Sequence, residues 1–308
     1  IIALQRPEGY MGVRDFFDFA DDWSDLIDEE LPKGYLSNEK AFVRDVRGED
    51  TEDVNLKKAI LSFILSGALK LYRSAQGISV STMHHTMLVH KSVKQADHES
   101  DKEQVECIYL RLKEDTAAFY AELESLWEDD FKMVSKSRAK KIKHPANFKN
   151  IKPYIDKCIN LIEDEDTPVR VVNGDKVYAN HLPDFDRKSI WGILIGGTKL
   201  SRGFTVEGLT VSYYRRRIKQ ADTLMQVGRW FGFRRGYQDL VRLFVGREEP
   251  DGRNGTFDLY LAFKSICKDE EAFRSQLGRY SKKEGEVRIL PRQIPPTVPS
   301  HMLRPAAP

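Results

Sequence analysis

The stretch 191–245 constrains the fold most, because it alternates short apolar runs with loops rich in glycine and arginine. Apolar runs at 190–195 and 209–214 flank a loop that contains Ser201-Arg202-Gly203. Apolar runs of this length are typical of strands that are buried on both faces of a sheet. Where helices or long crossovers separate such strands, the strands are parallel. This stretch therefore predicts an α/β fold with a parallel sheet.

The rest of the chain supplies further elements of the same fold. Short apolar runs at 86–90, 169–172 and 239–245 predict three more strands, which makes about five. Apolar residues at helical spacing predict a helix at 54–72. Further helices are predicted at 221–230, at 256–280 and throughout the charged stretch 91–166. The predicted fold class is α/β with a parallel sheet, a helical insertion and a C-terminal helical extension.

The predicted elements divide the chain into four parts. Residues 1–50 are interpreted as an N-terminal linker or the edge of an upstream lobe, and 51–250 as one lobe with a helical insertion at about 93–165. Residues 251–290 form a predicted C-terminal helical extension, and the proline-rich 291–308 a flexible tail. Because the chain starts with Ile1, we expect it to be part of a longer protein.

Charge and cysteine content exclude several classes of protein. Lys and Arg number 49 against 47 Asp and Glu, so a nucleic-acid surface must come from local clusters of charge. No apolar run approaches the roughly 20 residues that span a bilayer, and we expect no membrane contact. Three widely separated cysteines argue against a disulfide framework or a zinc ribbon. A reducing, cytoplasmic location is therefore expected.

Two segments carry the candidate chemistry. The segment 196–203 follows a predicted strand, where backbone N–H groups and Arg202 could face a phosphate, although taken alone it fits a structural turn better. It is not a Walker A loop, since the Gly-Lys-Ser/Thr ending is missing. In the segment 226–236, Arg229 and Arg234 lie at and after a predicted helix end. Guanidinium groups there either neutralise charge on a transferred phosphoryl group or are merely exposed.

Taken together, the two segments resemble the Z1 domain family. The resemblance rests on TMLVHKS, GGTKLSRGFTVEGLTVSYYRRR and DTLMQVGRWFGFRRGY, and it covers roughly residues 50–250. The family is similar to the second, RecA-like lobe of superfamily 2 helicases, in which an Arg-Gly loop, a strand, a connector and a helix ending in Gly-Arg follow one another. In that family the lobe follows a DEAD-like ATPase lobe, in bacterial restriction or phage-defence systems.

The resemblance implies roles for the matching residues. Arg229 and Arg234 are implied to be arginine fingers at the γ-phosphate of ATP. The implied nucleotide-cleft residues are Arg202, Gly203, Thr205, Asp222 and Gln226. ATP and Mg²⁺ are implied cofactors of the intact protein, bound mainly by the upstream lobe, and none is expected in this chain alone.

The chain departs from the common helicase pattern at three positions. Met225 stands where His or Gln is usual, although Gln226 is adjacent. Gly232 stands where a second arginine is usual, and Arg234 follows two residues later. Thr205 stands where many helicases have an acidic contact to the ribose. The role of Arg234 is therefore less firmly implied than that of Arg229.

Basic residues in four places predict contacts with DNA. The candidates are Lys91 and Ser92, Thr198 and Lys199, Arg215, Arg216 and Arg217, and Lys140, Lys141 and Lys143. Because ligands bind at the carboxyl ends of parallel strands, 196–204 and 215–219 are expected at the functional edge. For the basic stretch 132–152 two interpretations remain: a nucleic-acid contact, or a solvated face packed near the acidic stretch 114–130.

The function that these motifs favour is the C-terminal lobe of an ATP-dependent DNA translocase that works with a nuclease subunit. One alternative is a non-motor interaction module that docks the nuclease. A second alternative is an intrinsic endonuclease, for which 183–188 is the nearest acidic motif. No metal site is predicted, because the spacing of His84, His85, His90 and His98 fits no standard zinc pattern.

Overall fold

The central element of the fold is a six-stranded parallel sheet. The computed structural model describes residues 7–18, 37–48, 52–92, 95–164, 168–172, 183–196, 205–216, 224, 228–250 and 255–278. Its strands are β1 (Tyr10–Met11), β2 (Val43–Val46), β3 (His84–His90), β4 (Val169–Val172), β5 (Ile190–Gly196), β6 (Leu209–Tyr214), β7 (Gly232–Phe233), β8 (Arg242–Gly246), β9 (Glu249–Pro250) and β10 (Thr256–Phe257). The sheet has the order β2-β8-β6-β3-β5-β4.

Helices surround this sheet. They are α1 (Val13–Phe16), α2 (Asn38–Phe42), α3 (Glu52–Ala75), α4 (Gln95–Glu114), α5 (Thr116–Leu126), α6 (Lys132–Arg138), α7 (Lys152–Glu163) and α8 (Leu259–Gly278). Every residue of β3 and β5 is buried, as expected for strands covered on both faces. In the described part of the chain, none of the helices has the length and apolar content needed to cross a membrane.

The predicted α/β class with a parallel sheet is confirmed, and so are the five predicted strands. The sheet has one strand more than expected, because β2 lies within 1–50 and pairs with β8. The last predicted strand begins at Arg242 rather than at 239, since Gln238–Leu240 forms a 3₁₀ turn. In the C-terminal region, β10 precedes α8. Most of the helix predicted at 221–230 lies outside the described residues.

The helical insertion is joined to the sheet by a buried ion cluster. A π-helical turn, Trp127–Phe131, follows α5 and directs Asp130 toward two arginines. Asp130 accepts hydrogen bonds from Arg44 of β2 at 2.7 Å and from the fully buried Arg242 of β8 at 2.8 Å. Burial alone would raise the pKa of Asp130, but the two guanidinium groups lower it to about 2. The end of the acidic stretch 114–130 is therefore structural, not solvated.

Candidate functional site

A cavity of about 760 Å³ opens at the amino-terminal edge of the sheet. Three segments, 79–84, 205–208 and 229–237, form its walls. The first two run into β3 and β6, and the third contains β7 and precedes β8. The cavity therefore lies where three parallel strands begin. It contains Arg229, Arg234 and Thr205, three of the residues for which the family resemblance implies a contact with a nucleotide.

Two glycines in left-handed conformations shape the walls of this cavity. Gly208 has φ +66°, and a side chain there would collide with the carbonyl oxygen of His84. Gly232 has φ +149°, and an added Cβ would lie 2.9 Å from Nη1 of Arg234. Because other residues rarely adopt these φ values, the sequence needs glycine at both positions. Gly232 thus leaves the space that the Arg234 guanidinium occupies.

Arg234 is buried in the cavity wall, with only 4% of its surface exposed. Its Nη1 donates to the carbonyl oxygen of Phe233 at 2.8 Å, and its Nη2 to that of Arg229 at 3.3 Å. Among the described residues, its Nε has no hydrogen-bond partner, and no carboxylate forms an ion pair with this side chain. Burial lowers the pKa of Arg234, and the hydroxyl group of Tyr237, which contacts this side chain, opposes the shift. Guanidinium groups remain charged in proteins.

Arg229 is partly buried at the same cavity, and burial lowers the pKa of its guanidinium group. Its backbone carbonyl accepts the hydrogen bond from Arg234, so the two predicted fingers are in contact. Thr205 is exposed at the rim. The other predicted cleft residues, Arg202, Gly203, Asp222 and Gln226, lie outside the described residues.

A buried lysine behind the cavity is a feature that the sequence analysis missed. Lys70 of α3 is fully buried, and its Nζ donates to the carbonyl oxygen of His84 at 2.6 Å. The same Nζ lies 4.5 Å from the centre of the Tyr237 ring. Burial, and next the charge of Arg234, lower the pKa of Lys70 to about 7. The signal in the sequence was a lysine between Leu69 and Leu71 on a helix that is otherwise apolar there.

Glu207 adds a carboxylate to this basic cavity. Its side chain is half exposed, and its Oε2 lies 3.6 Å from Nε2 of His84. Burial lowers the pKa of His84 below its ordinary value, despite the opposing effect of Glu207. His84 is therefore neutral at pH 7, and the Glu207 carboxylate can accept a hydrogen bond from a ligand. Thr205 stands at the position where helicases often have an acidic residue, and Glu207 lies two residues later.

The basic residues predicted at the carboxyl-terminal edge of the sheet already have partners. Lys91 contacts Asp101 at 3.1 Å and Gln104 at 2.7 Å, and Ser92 donates to Asp97 at 2.6 Å. Arg215 is paired with Glu249 at 2.7 Å. Arg216 donates to Nε2 of the neutral His90 at 3.0 Å, and its buried Nε has no hydrogen-bond partner among the described residues. Thr198, Lys199 and Arg217 lie outside the described residues.

The structure therefore separates the predicted site residues between two opposite edges of the sheet. Arg215 and Arg216 follow β6 at the carboxyl-terminal edge, as expected. Arg229 and Arg234, in contrast, line a cavity at the amino-terminal edge. Because ligands were expected at the carboxyl ends of the strands, a cavity at the amino-terminal edge was not predicted.

Lys140, Lys141 and Lys143 are exposed on the loop that follows α6. They form no ion pair with any described residue. The loop lies near the amino-terminal edge, because Ser135 of α6 donates to Asp239 before β8, and His144 is close enough to Arg73 and Asp239 for its pKa to respond to both. These lysines thus present unpaired positive charge to solvent.

The structure gives little support to a metal centre. Within the described residues, no group of three or more His, Cys, Asp or Glu side chains could hold a metal ion. His85 is fully buried and stacked on Phe63, with ring centres 4.4 Å apart. Asp184 and Asp186 belong to a turn, where the Asp184 side chain accepts from the backbone N–H of Asp186.

Comparison with known families gives one clear match. Residues 55–304 match the Z1 domain, which extends the resemblance beyond the region 50–250 that carries the sequence motifs. No curated protein and no solved structure matches the chain. Because the family match spans most of the sequence, the chain belongs to the Z1 domain family.

Proposed function

We propose that the chain is the C-terminal, RecA-like lobe of an ATP-dependent DNA translocase, to which it supplies arginine fingers. The observation that carries the proposal is that Arg229 and Arg234 line one cavity at the edge of a parallel sheet. In this proposal an upstream DEAD-like ATPase lobe of the intact protein binds ATP and Mg²⁺. A nuclease subunit of a restriction or phage-defence complex, located in the cytoplasm, cuts the DNA.

The cavity residues fit a nucleoside triphosphate in size and in chemistry. Ligand sites commonly have volumes of roughly 300 to 1,000 Å³, and this cavity has about 760 Å³. The buried Nε of Arg234 is a donor without a partner among the described residues, as a phosphate oxygen requires. Glu207 offers a carboxylate to a ribose hydroxyl and so replaces the acidic group that Thr205 lacks.

The bound nucleotide supplies a scissile phosphoanhydride, and the protein supplies charge and position. Arg229 and Arg234 neutralise negative charge on the phosphoryl group that is transferred. Arg234 is held in place by the carbonyl groups of Phe233 and Arg229, so little reorganisation is needed when a phosphate arrives. Opening and closing of the lobe against the upstream lobe couples hydrolysis to movement along DNA.

The exposed lysines after α6 are the favoured DNA contact of this lobe. Lys140, Lys141 and Lys143 have no ion-pair partner among the described residues, so they can release counterions when they meet phosphates. Lys91, Ser92, Arg215 and Arg216 remain candidates at the other edge. Their present partners must be exchanged or shared before they can contact a DNA backbone.

The test is Arg229→Ala in the intact protein. We expect DNA-stimulated ATP hydrolysis to fall by about 10³-fold, as for other arginine fingers, while circular dichroism remains unchanged. Near-normal turnover would end the proposed role of Arg229. The chain by itself should not hydrolyse ATP.

The two alternatives predict different outcomes of the same assay. An interaction module would leave the intact protein unable to hydrolyse ATP, with or without DNA. An intrinsic endonuclease would cut DNA when the chain is incubated alone with Mg²⁺.

A further inference from the structure

Phe233 is a large aromatic side chain on the wall of the cavity, and 58% of its surface is exposed. It is the neighbour of Arg234, which is buried. Both side chains line the cavity: the ring of Phe233 is exposed to solvent there, while the guanidinium group of Arg234 is buried in the wall.

The position of Phe233 is fixed by backbone pairing. β7 pairs with β1 in antiparallel register, with Tyr10 opposite Phe233 and Met11 opposite Gly232. The Tyr10 and Phe233 rings are 5.4 Å apart between centres and nearly perpendicular, at 78°. The backbone N–H of Arg234 donates to the carbonyl oxygen of Gly9 at 2.8 Å. The pairing of β7 with β1 therefore fixes the position of the exposed Phe233 ring, which is next to Arg234 in the sequence.

An exposed aromatic face beside a buried guanidinium group matches one kind of ligand, which has both an aromatic ring and phosphates. Bases stack on aromatic side chains with little regard to their identity, and arginine binds phosphate through directed N–H donors. Nucleotides and single-stranded DNA both have these groups. The cavity favours a single nucleotide, because its volume suits one small molecule and Arg234 lies deep in the wall.

We propose that Phe233 stacks against the base of the nucleotide whose phosphates contact Arg229 and Arg234. This lobe then contacts the base as well as the phosphates. The inference rests on the proposed function, because it requires a nucleotide in the cavity. It assigns to Phe233 a direct contact with the ligand.

The test compares two ligands of the intact protein, ATP and inorganic tripolyphosphate, by titration calorimetry in the presence of Mg²⁺. Phe233→Ala should weaken ATP binding about tenfold and leave tripolyphosphate binding unchanged, since only ATP has a base. Phe233→Trp should retain ATP binding. Phe273→Ala, which removes an exposed aromatic from α8, is the matched control and should change neither affinity.

Three results for Phe233→Ala would overturn the inference. Equal weakening of both ligands would mean that Phe233 supports the cavity or the contact between lobes. Unchanged binding of ATP would remove the stacking contact. Weaker binding of a single-stranded oligonucleotide alone would assign the ring to DNA.

Binding by the variant Arg234→Met distinguishes failure of the stacking contact from failure of the proposed function. If Arg234→Met binds both ATP and tripolyphosphate more weakly, the proposed phosphate site is supported even if Phe233 has no role. If Arg234→Met binds both ligands as the wild type does, or if the wild type binds neither, the proposed nucleotide site and the stacking contact fail together.

Discussion

The two edges of the sheet use similar basic side chains in different ways. At the carboxyl-terminal edge, Arg215 and Lys91 are paired with carboxylates, Glu249 and Asp101, at 2.7 and 3.1 Å. Arg216 is the exception at this edge, because it is bound to the ring of His90 and its Nε is unsatisfied among the described residues. At the amino-terminal edge, Arg234 is as deeply buried but is bound to backbone carbonyl groups, and its Nε is unsatisfied among the described residues. A buried charge without a counter-charge costs stability. The comparison indicates that the paired residues stabilise the fold, whereas Arg234 is suited to binding an anion.

The largest expected effect is the loss of activity in Arg234→Met of the intact protein. We expect DNA-stimulated ATP turnover to fall by about 10³-fold, because a guanidinium at the transferred phosphoryl group contributes about that factor. Stability should change little or increase, since this removes a buried charge that has no carboxylate partner among the described residues. Steady-state hydrolysis and urea unfolding measure the two quantities.

Arg187→Met is the control for Arg234→Met, because the Arg187 side chain is 86% exposed and does not line the cavity. It should leave both turnover and stability unchanged. A stable Arg234→Met protein with normal turnover would contradict the assignment of the amino-terminal edge to phosphate.

The opposite outcome is expected for Arg215→Met at the carboxyl-terminal edge. This change removes the guanidinium group that is paired with the buried carboxylate of Glu249, so the free energy of unfolding should fall by about 3 kcal/mol. Replacing both residues, as Arg215→Met with Glu249→Leu, should recover most of that decrease. If Arg215→Met is fully stable but defective in DNA binding, Arg215 belongs to a DNA contact and the contrast between the edges disappears.

The sequence predicted the buried strands well because their signal is local. β4 and β6 have the predicted bounds, since short apolar runs between polar residues mark a covered strand. β2 was missed because it has only four residues, two of them charged, Arg44 and Asp45. Arg44 lies there because Asp130, 86 residues away, neutralises it. No local pattern contains that partner.

Only part of the candidate site was predicted, because a sequence pattern detects local features but not contacts between distant segments. The motif around Arg229 and Arg234 is continuous in sequence and could be recognised. The contributions of Lys70 and His84 depend on contacts between segments more than 100 residues apart, such as those with Tyr237 and Glu207. Whether a basic residue is paired is also decided by such contacts. The sequence therefore located the arginines but did not distinguish the two edges.

A smaller effect, on stability, is expected for Lys70, behind the amino-terminal cavity. Its pKa is about 7 in the folded protein, against 10.5 ordinarily, owing to burial and then to Arg234. Between these values the unfolded chain binds more protons, so the Lys70 contribution makes the protein more stable as pH rises from about 7. Relative to Lys70→Met, the wild type should gain roughly 1 kcal/mol per pH unit.

Urea unfolding from about pH 7 to about pH 8 measures this difference, because most thiols of the unfolded chain remain protonated over that range. The upper limit matters because burial also raises the pKa of Cys158, which lies close to Lys70. Lys57→Met, on the same helix but at the surface, should show the pH dependence of the wild type. Equal slopes for Lys70→Met and the wild type would mean that Lys70 stays charged in the fold.

The smallest effect is expected for the lysines after α6, because each exposed charge contributes little. Changing Lys140, Lys141 and Lys143 to Gln should weaken DNA binding. The slope of log K against log salt should become shallower by about 0.9 for each phosphate that the variant no longer neutralises. Fluorescence anisotropy from about 50 to about 200 mM salt measures both quantities.

The matched control for this loop variant changes three lysines that are paired with carboxylates, Lys57, Lys102 and Lys113. It alters the net charge of the protein equally, so any difference between the two triple variants reflects where the lysines lie. Equal salt slopes for the two triple variants would mean that the loop lysines act only through the net charge of the protein. A shallower slope in the loop variant alone would place the DNA backbone on the loop, at the same edge of the sheet as the arginines of the cavity.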